Sequence, residues 1–320
     1  MKLILDTDID TDCDDAGALA VLHALMKKRG AIEVLGVICS VPAPWCATCV
    51  QAINSWYGRD DIRVGAIQAP DWDTSPAYAA YRQHRAEATG QGVRMLYNEI
   101  VGRDRVNRSP QVQPPGAVEL YRETLARQPD ASVTICAIGT LTALAQLLRS
   151  KPDGITPMSG RDLVARKVKK LVTMAVAAFP EGKDTFNWAM DLASAKTVLQ
   201  SWPTRVVVSE HGETVLTGAR FMAKAPADHP VNIAYRTLLG STTANRPSWD
   251  QLAVLYAVSG PDDLFEEQGG YAISLDAQTG AHQWRPDPTW PDRCRLRPVV
   301  SDPVLAERVE DLMIESLGAR

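Results

Sequence analysis

The sequence predicts an α/β fold, a mostly parallel central sheet with helices on both faces, ligands being bound beyond the carboxyl ends of the strands in such sheets. Three observations predict it. Short runs rich in Val, Ile and Leu alternate with longer helical stretches along nearly the whole chain. The first run, Leu3-Ile4-Leu5, is uninterrupted by polar residues, as a strand covered on both faces must be. Apolar residues make up 45% of the 320 and charged residues 22%, which supports a large packed core.

Taken in order, residues 2–7 form the first strand, and the Ala- and Leu-rich stretch 16–28 is a helix ended near Gly30. A second strand over 32–39 holds four β-branched residues and a medial Gly36. A helix over 46–57 and a strand over 62–67 follow. From 69 to 116 Pro, Gly, Arg and Gln with scattered aromatics replace any periodicity. So long an irregular stretch is expected to contain short helices and to cover a site. Order resumes with a helix over 117–127, a strand over 132–138, a helix over 141–150 and a strand over 168–176. A helix over 191–201, a strand over 205–209 and a helix beginning near Trp249 continue the alternation. Residues 269–285 read as a β-hairpin around Gln278-Thr279-Gly280, and 303–317 as a closing helix. There is no internal repeat. The expected organisation is a single domain over 1–320 with excursions at 69–116 and 262–301.

Composition narrows the function classes. With 34 Lys+Arg against 38 Asp+Glu the net charge is −4, and without a long basic run nucleic acid is not an expected partner. No segment reaches the roughly 18 consecutive apolar residues of a membrane span. The opening Met-Lys-Leu-Ile-Leu-Asp turns acidic at its sixth residue and lacks a secretory cleavage pattern, so a cytoplasmic location is expected. Six cysteines are too dispersed for a disulfide scaffold and are read as reduced, mostly buried thiols. The Cys46–Cys49 pair lacks the second ligand pair a zinc site needs, and His23 and His84 stand in no paired motif.

The acidity is concentrated. Asp6, Asp8, Asp10, Asp12, Asp14 and Asp15 fall within ten positions, and removing these six from a net −4 leaves +2. Carboxylates so dense repel one another unless they point apart or a cation holds them together. Asp8 at a strand end and Asp15 at a helix start bracket one hard cation: calcium, which takes about six to eight oxygen ligands, or magnesium, which keeps more water. Helix capping by Asp14 or Asp15 accounts for two of the acids but not for six. An EF-hand loop starting at Asp8 has Cys13 and Leu19 where Gly and Glu belong, and the turn lacks the glycines of a phosphate-binding loop. A phosphohydrolase using Asp6 as nucleophile in Asp6-Thr7-Asp8 is the runner-up, although Asp10 breaks that pattern.

The strand followed by Asp6-Thr7-Asp8, a short loop and Asp14-Asp15-Ala16 resembles the metal loop of the nucleoside hydrolase family of inosine-uridine preferring type. Four later segments extend the resemblance in the right order. These are Ile138-Gly139-Thr140-Leu141-Thr142, the strand 169–174 ending in Met174, Phe186-Asn187 with Asp191 and Ala193–Ala195, and Ser248-Trp249-Asp250-Gln251-Leu252-Ala253. The resemblance implies a calcium-dependent N-ribohydrolase acting on a nucleoside, with a homodimer or homotetramer as the expected assembly. It places Asp8, Asp15, Asp250 and the Ile138 carbonyl on the metal, and Asp8 as the general base. It puts Asp14 and Asn187 on ribose hydroxyls, with Met174 and Trp249 beside the substrate. The chemistry suits those residue types: a cation acidifies water, a carboxylate takes the proton, and carboxylates stabilise an oxocarbenium-like sugar.

Several positions depart from the family pattern. The loop from Asp8 to Asp14 is two residues longer, so that Asp12 competes with Asp8 as base or ligand. Thr185 replaces a Glu before Phe-Asn, Ala143 replaces an Asn, and Val41-Pro42-Ala43-Pro44 occupies a region that carries an Asn in the family. Trp249 stands in place of a His that assists base departure in some members. His84, His211 and His282 are alternative acids, and Glu210 marks another strand end. A ribose- or nucleoside-binding protein with weak turnover is the alternative consistent with Thr185 and Trp249.

Overall fold

Leu3, Ile4 and Leu5 are at most 1% exposed, and the strand they form lies near the middle of the sheet, as an uninterrupted apolar run requires. The computed structural model describes residues 1–10, 12–68, 79, 80, 83, 87, 97–108, 113–175 and 179–319. The first five strands are β1 (Lys2–Thr7), β2 (Glu33–Cys39), β3 (Val64–Ala66), β4 (Val133–Ala137) and β5 (Val168–Met174). Then come β6 (Glu181–Lys183), β7 (Arg205–Ser209), β8 (Leu216–Thr217) and β9 (Arg246–Pro247). The last four are β10 (Phe265–Gly269), β11 (Tyr271–Leu275), β12 (Ala281–Pro286) and β13 (Arg293–Pro298).

Eight of them form one sheet in the order β10-β13-β7-β5-β4-β1-β2-β3, parallel except at the β10 edge. The expected α/β class is therefore present. The hairpin foreseen over 269–285 exists as β11 and β12, which join β6 in a separate three-stranded sheet. Sequence reasoning missed β10 and β13, which extend the main sheet from within the 262–301 excursion. Their charged residues, such as Glu266, Glu267, Arg295 and Arg297, obscure the strand alternation. It also missed helices at Gly160–Lys167, Ala219–Lys224 and Pro230–Leu239. The last of these starts on a proline, which suits a first helical position, and the His229 side chain accepts from Val231 N at 3.2 Å. Much of the 69–116 excursion lies outside the described residues; within it, Tyr97–Arg108 is helical.

Helix α1 (Asp14–Arg29) is buried from Asp14 through Met26 and ends at Gly30 in the left-handed conformation. It packs against the helices Trp249–Ser259 and Asp302–Ser316. Gly17 makes the first contact possible: a Cβ there would sit 2.5 Å from Gln251 Nε2 and from Tyr235 Oη. That close approach sets the first turn of α1 beside the first turn of Trp249–Ser259, bringing Asp14 and Asp15 to Asp250. Because β1, β4 and β5 are parallel neighbours, their carboxyl ends open onto the same side.

Candidate metal and substrate site

The acid loop is shaped by ties to distant segments. Thr7 Oγ1 donates to Asp15 Oδ1, joining the end of β1 to the start of α1. Cys46 Sγ donates to the Ile9 carbonyl at 2.8 Å, and Asn98 Nδ2 to Asp10 Oδ1 at 2.6 Å. Tyr97 Oη donates to the Asp12 carbonyl at 2.5 Å. On the β4 side, Ile138 N donates to the Asp6 carbonyl at 2.8 Å, and Gly139 follows against the loop. A Cβ on Gly139 would lie 2.5 Å from Asp8 N and 2.6 Å from Ser40 Oγ, so only glycine lets β4 end this close to Asp8.

These segments enclose a cavity of about 520 Å³. Asp8, Asp14, Asp15 and Asp250 line it together with Ile138, Met174, Asn187 and Trp249. The residues that the family resemblance implies for metal and substrate all line this one cavity. The grouping within the cavity is uneven. Carboxylate oxygens of Asp14, Asp15 and Asp250 lie within 4.8 Å of one another, whereas Asp8 stands outside that trio. Asp8 is 8% exposed, and its Oδ2 has no hydrogen-bond partner. Asn187 Nδ2 donates to the Ile138 carbonyl at 2.9 Å and to Met174 Sδ at 3.1 Å, linking three of the lining residues.

Burial pushes Asp8, Asp14, Asp15 and Asp250 well above the ordinary carboxylate range. Their neighbours' charges add to it: Asp14 on Asp8, Asp12 on Asp14, Asp8 on Asp15, and Asp14 on Asp250. Carboxyls that resist ionising together, all presenting hard oxygen donors, fit a divalent cation. The unpartnered Asp8 oxygen supports the same fit. The first-turn position of Asp14 and Asp15 adds the favourable end of the helix dipole, while the N-cap itself is Cys13 and makes no side-chain capping bond.

Asp12 is occupied. Its carboxylate accepts from Arg246 Nε at 2.9 Å and from Nη2, and its Oδ1 also accepts from Cys13 N at 2.7 Å. Of the two, Asp12 is thus held by an ion pair, whereas Asp8 Oδ2 in the same cavity has no partner. Asp6 is fully buried; it accepts from Tyr121 Oη at 2.6 Å and does not line the cavity. Burial raises it to about 7. A nucleophile for phosphoryl transfer needs in-line access, so the phosphohydrolase reading lacks its central residue.

The alternative acids do not converge either. His211 pairs with Asp302 at 2.7 Å, His282 packs edge-on to Trp188, and His84 lies outside the described residues. Among the described residues no histidine lines the cavity. Glu210, raised to about 7 by burial, forms an ion pair with Arg295 at 3.0 Å elsewhere. All six cysteines are buried and none is in a disulfide.

Sequence reasoning missed Arg246, Glu213, Leu238 and Phe186 as lining residues, and Asp184 as an organiser. Asp184 Oδ1 accepts from the backbone N–H groups of Phe186, Trp188 and Ala189 at 3.0, 2.8 and 3.3 Å, which shapes the turn that presents Asn187. An Asp two residues before an aromatic turn was a readable signal, because Asp side chains cap their own following backbone. Arg246 was not readable: nothing in Asn245-Arg246-Pro247 points to a partner 234 residues earlier.

A profile of the inosine-uridine preferring nucleoside hydrolases matches residues 3–297. Among solved structures, the chain resembles an inosine-uridine preferring nucleoside hydrolase from Bacillus anthracis at 16% identity, with TM-score 0.67, over 98% of this chain and 99% of that one. It resembles a purine-preferring ribonucleoside hydrolase from Gardnerella vaginalis at 15% identity, with TM-score 0.65, over 100% and 99%. At these identities the likeness is one of fold. An uncharacterized protein of Schizosaccharomyces pombe is 27% identical over 205 residues, 63% of this chain, and the match covers 58% of that protein's length. With the profile matching nearly the whole chain and Asp8, Asp14, Asp15 and Asp250 gathered in one cavity, this protein belongs to the inosine-uridine preferring nucleoside hydrolase family.

Proposed function

We propose that the chain is a calcium-dependent N-ribohydrolase that cleaves the N-glycosidic bond of a ribonucleoside or related N-riboside. The observation that carries this reading is the meeting of Asp8, Asp14, Asp15, Asp250, the Ile138 segment and Asn187 in one cavity. Asp15, Asp250, Asp8 and the Ile138 carbonyl would hold the cation, and calcium is favoured over magnesium by the number of protein oxygens on offer. When bound, a hard cation supplies a more acidic water and an anchor for ribose hydroxyls.

The chain's own groups do the rest. Asp8 Oδ2, buried and unpartnered, takes the proton of the attacking water. Asp14, absent from the assigned ligand set, and Asn187, held by the Ile138 carbonyl and Met174, orient the ribose. As the C1′–N bond stretches, positive charge develops on the sugar, and the surrounding carboxylates stabilise it. Met174 and Trp249 wall the pocket and limit water.

The test is release of reducing sugar from a nucleoside panel by metal-analysed protein, with and without chelator. Chelator-sensitive release supports the reading; a metal-replete protein that releases none refutes it. The second reading, a nucleoside-binding protein, draws on the indole of Trp249 and the Thr185 hydroxyl at the cavity. It predicts metal-dependent binding by calorimetry with no ribose formed.

A further inference from the structure

We infer that the cavity favours N-ribosides whose heterocycle is already a cation, such as a ribosylpyridinium or an N7-alkylated purine riboside, an inference that rests on the N-ribohydrolase reading above. The charge balance comes first. Among the described residues, six carboxyl groups line the cavity, including Glu213 at its exposed rim, against one guanidinium, that of Arg246. That guanidinium is committed to Asp12 through Nε and Nη2. A divalent cation held there by Asp8, Asp15 and Asp250 would leave the cavity formally negative, and concave low-dielectric walls focus such a field.

The walls agree with the charge. Trp249 and Phe186 both line the cavity, and aromatic faces attract cations. The structure already seats one cation against this indole: the Arg246 guanidinium carbon lies 5.7 Å from the Trp249 ring centroid. The third feature is chemical. A neutral purine or pyrimidine leaves with its bonding pair and must acquire a proton, but an indole does not act as an acid near neutral pH. A cationic heterocycle needs none. The C1′–N bond breaks and its electron pair neutralises the ring nitrogen. The oxygen of water bonds to C1′, and one proton from that water passes to Asp8 and then to solvent. The products are ribose, a neutral heterocycle and one proton.

The experiment compares 7-methylinosine and 1-(β-D-ribofuranosyl)pyridinium with inosine, using p-nitrophenyl β-D-ribofuranoside as a substrate whose leaving group requires no acid. Relative to that reference, kcat/KM for 7-methylinosine should exceed that for inosine by about 100-fold or more, the scale of a missing general acid. A pH-stat should record one proton released per pyridinium riboside cleaved. Glu213→Gln should lower the preference for the cationic substrates about two- to fivefold, chiefly through KM, and added salt should mimic it. Inosine turned over within tenfold of 7-methylinosine overturns the inference, while p-nitrophenyl riboside cleavage leaves the hydrolase reading standing. So does Glu213→Gln slowing inosine more than the cationic substrates, which would make Glu213 an acid. Loss of inosine turnover in His84→Ala would overturn it as well. If metal-loaded protein cleaves none of the four, the N-ribohydrolase reading fails and takes this inference with it.

Discussion

Replacing Asp250 by Asn removes one charge from the carboxylate trio while keeping its shape, and stability should move in opposite directions with and without calcium. The oxygens of Asp14, Asp15 and Asp250 lie within 4.8 Å of one another, and two unit charges at that distance repel by about 3.5 kcal/mol at an effective dielectric near 20. Retained protons already relieve part of this in the folded chain, so removing one member should stabilise the chelator-treated protein at pH 8 by about 1–3 kcal/mol. With an unfolding entropy of about 2.1 cal/mol/K per residue, that is a Tm rise of about 1.5–4.5 °C for 320 residues. In calcium the order reverses. At a thousandfold excess over Kd the wild type gains about 4 kcal/mol, or about 6 °C, and a variant short of one anionic ligand should lose most of that gain. Scanning calorimetry in chelator and in calcium reads both signs, and titration calorimetry reads the affinity. An Asn variant less stable than wild type in chelator would refute the repulsion argument. Equal calcium shifts in the two proteins would remove Asp250 from the ligand set.

Chelator-treated wild type should lose stability as the pH rises from about 6.5 to 8.5. Asp8, Asp14, Asp15 and Asp250 hold protons in the folded state that the unfolded chain releases near 3.8, so the folded state binds more protons and rising pH penalises it. His23, lowered to about 4 by burial, is neutral in both states above its ordinary value of 6.5, while Asp6 and Glu210, each raised to about 7 by burial, add to the loss in that window with or without calcium. Urea midpoints measured with and without calcium should diverge as the pH rises; a constant difference would contradict this. Gly139→Ala forces a Cβ to 2.5 Å from Asp8 N and should cost about 1–3 kcal/mol, with a loss of kcat, by denaturant melts and steady-state assay. A stable, fully active variant would show that β4 can move away from the acid loop at no cost. Asp184→Ala strips Oδ1 from three backbone N–H groups and should raise KM more than it lowers kcat, since the turn it shapes presents Asn187. An unchanged KM would separate that turn from ribose binding.

The sheet was legible because its inner strands are apolar runs with few alternatives. Lys2–Thr7, Val133–Ala137 and Arg205–Ser209 fall within a residue of where the periodicity places them. β10, at the edge of the sheet, and its neighbour β13 were not legible, because both carry Glu or Arg at half-exposed positions, where burial no longer dictates composition. The site divides the same way. Asp8, Asp14 and Asp15 stand together in sequence, and Asp250 was found through a resembling segment. Arg246, Glu213 and Leu238 reach the cavity only through long-range packing, which leaves no local mark. Gly139 is a middle case: a glycine after a strand is visible, but that its missing Cβ makes room for Asp8 is a fact of three dimensions.

The six acids of the loop are one cluster in sequence and two populations in space. Asp6, Asp10 and Asp12 each turn to a donor from elsewhere: Tyr121, Asn98 and Arg246. Asp8, Asp14 and Asp15 line the cavity with Asp250, whereas Asp12, which also borders it, is held by Arg246. The division has a physical logic. A carboxylate left without a donor in a buried site is costly, and a loop held by only two chain ends would swing such groups into water. Three tethered acids, drawn to three different segments, remove that freedom and keep the others facing inward. The loop also supplies Asp12 to meet Arg246, and Arg246 in turn lies over the ring of Trp249, one residue before Asp250. The acid loop and the distant segment bearing Asp250 are thereby fastened to each other by an ion pair at the wall of the cavity they share. Asp12 and Trp249 are linked through that single guanidinium.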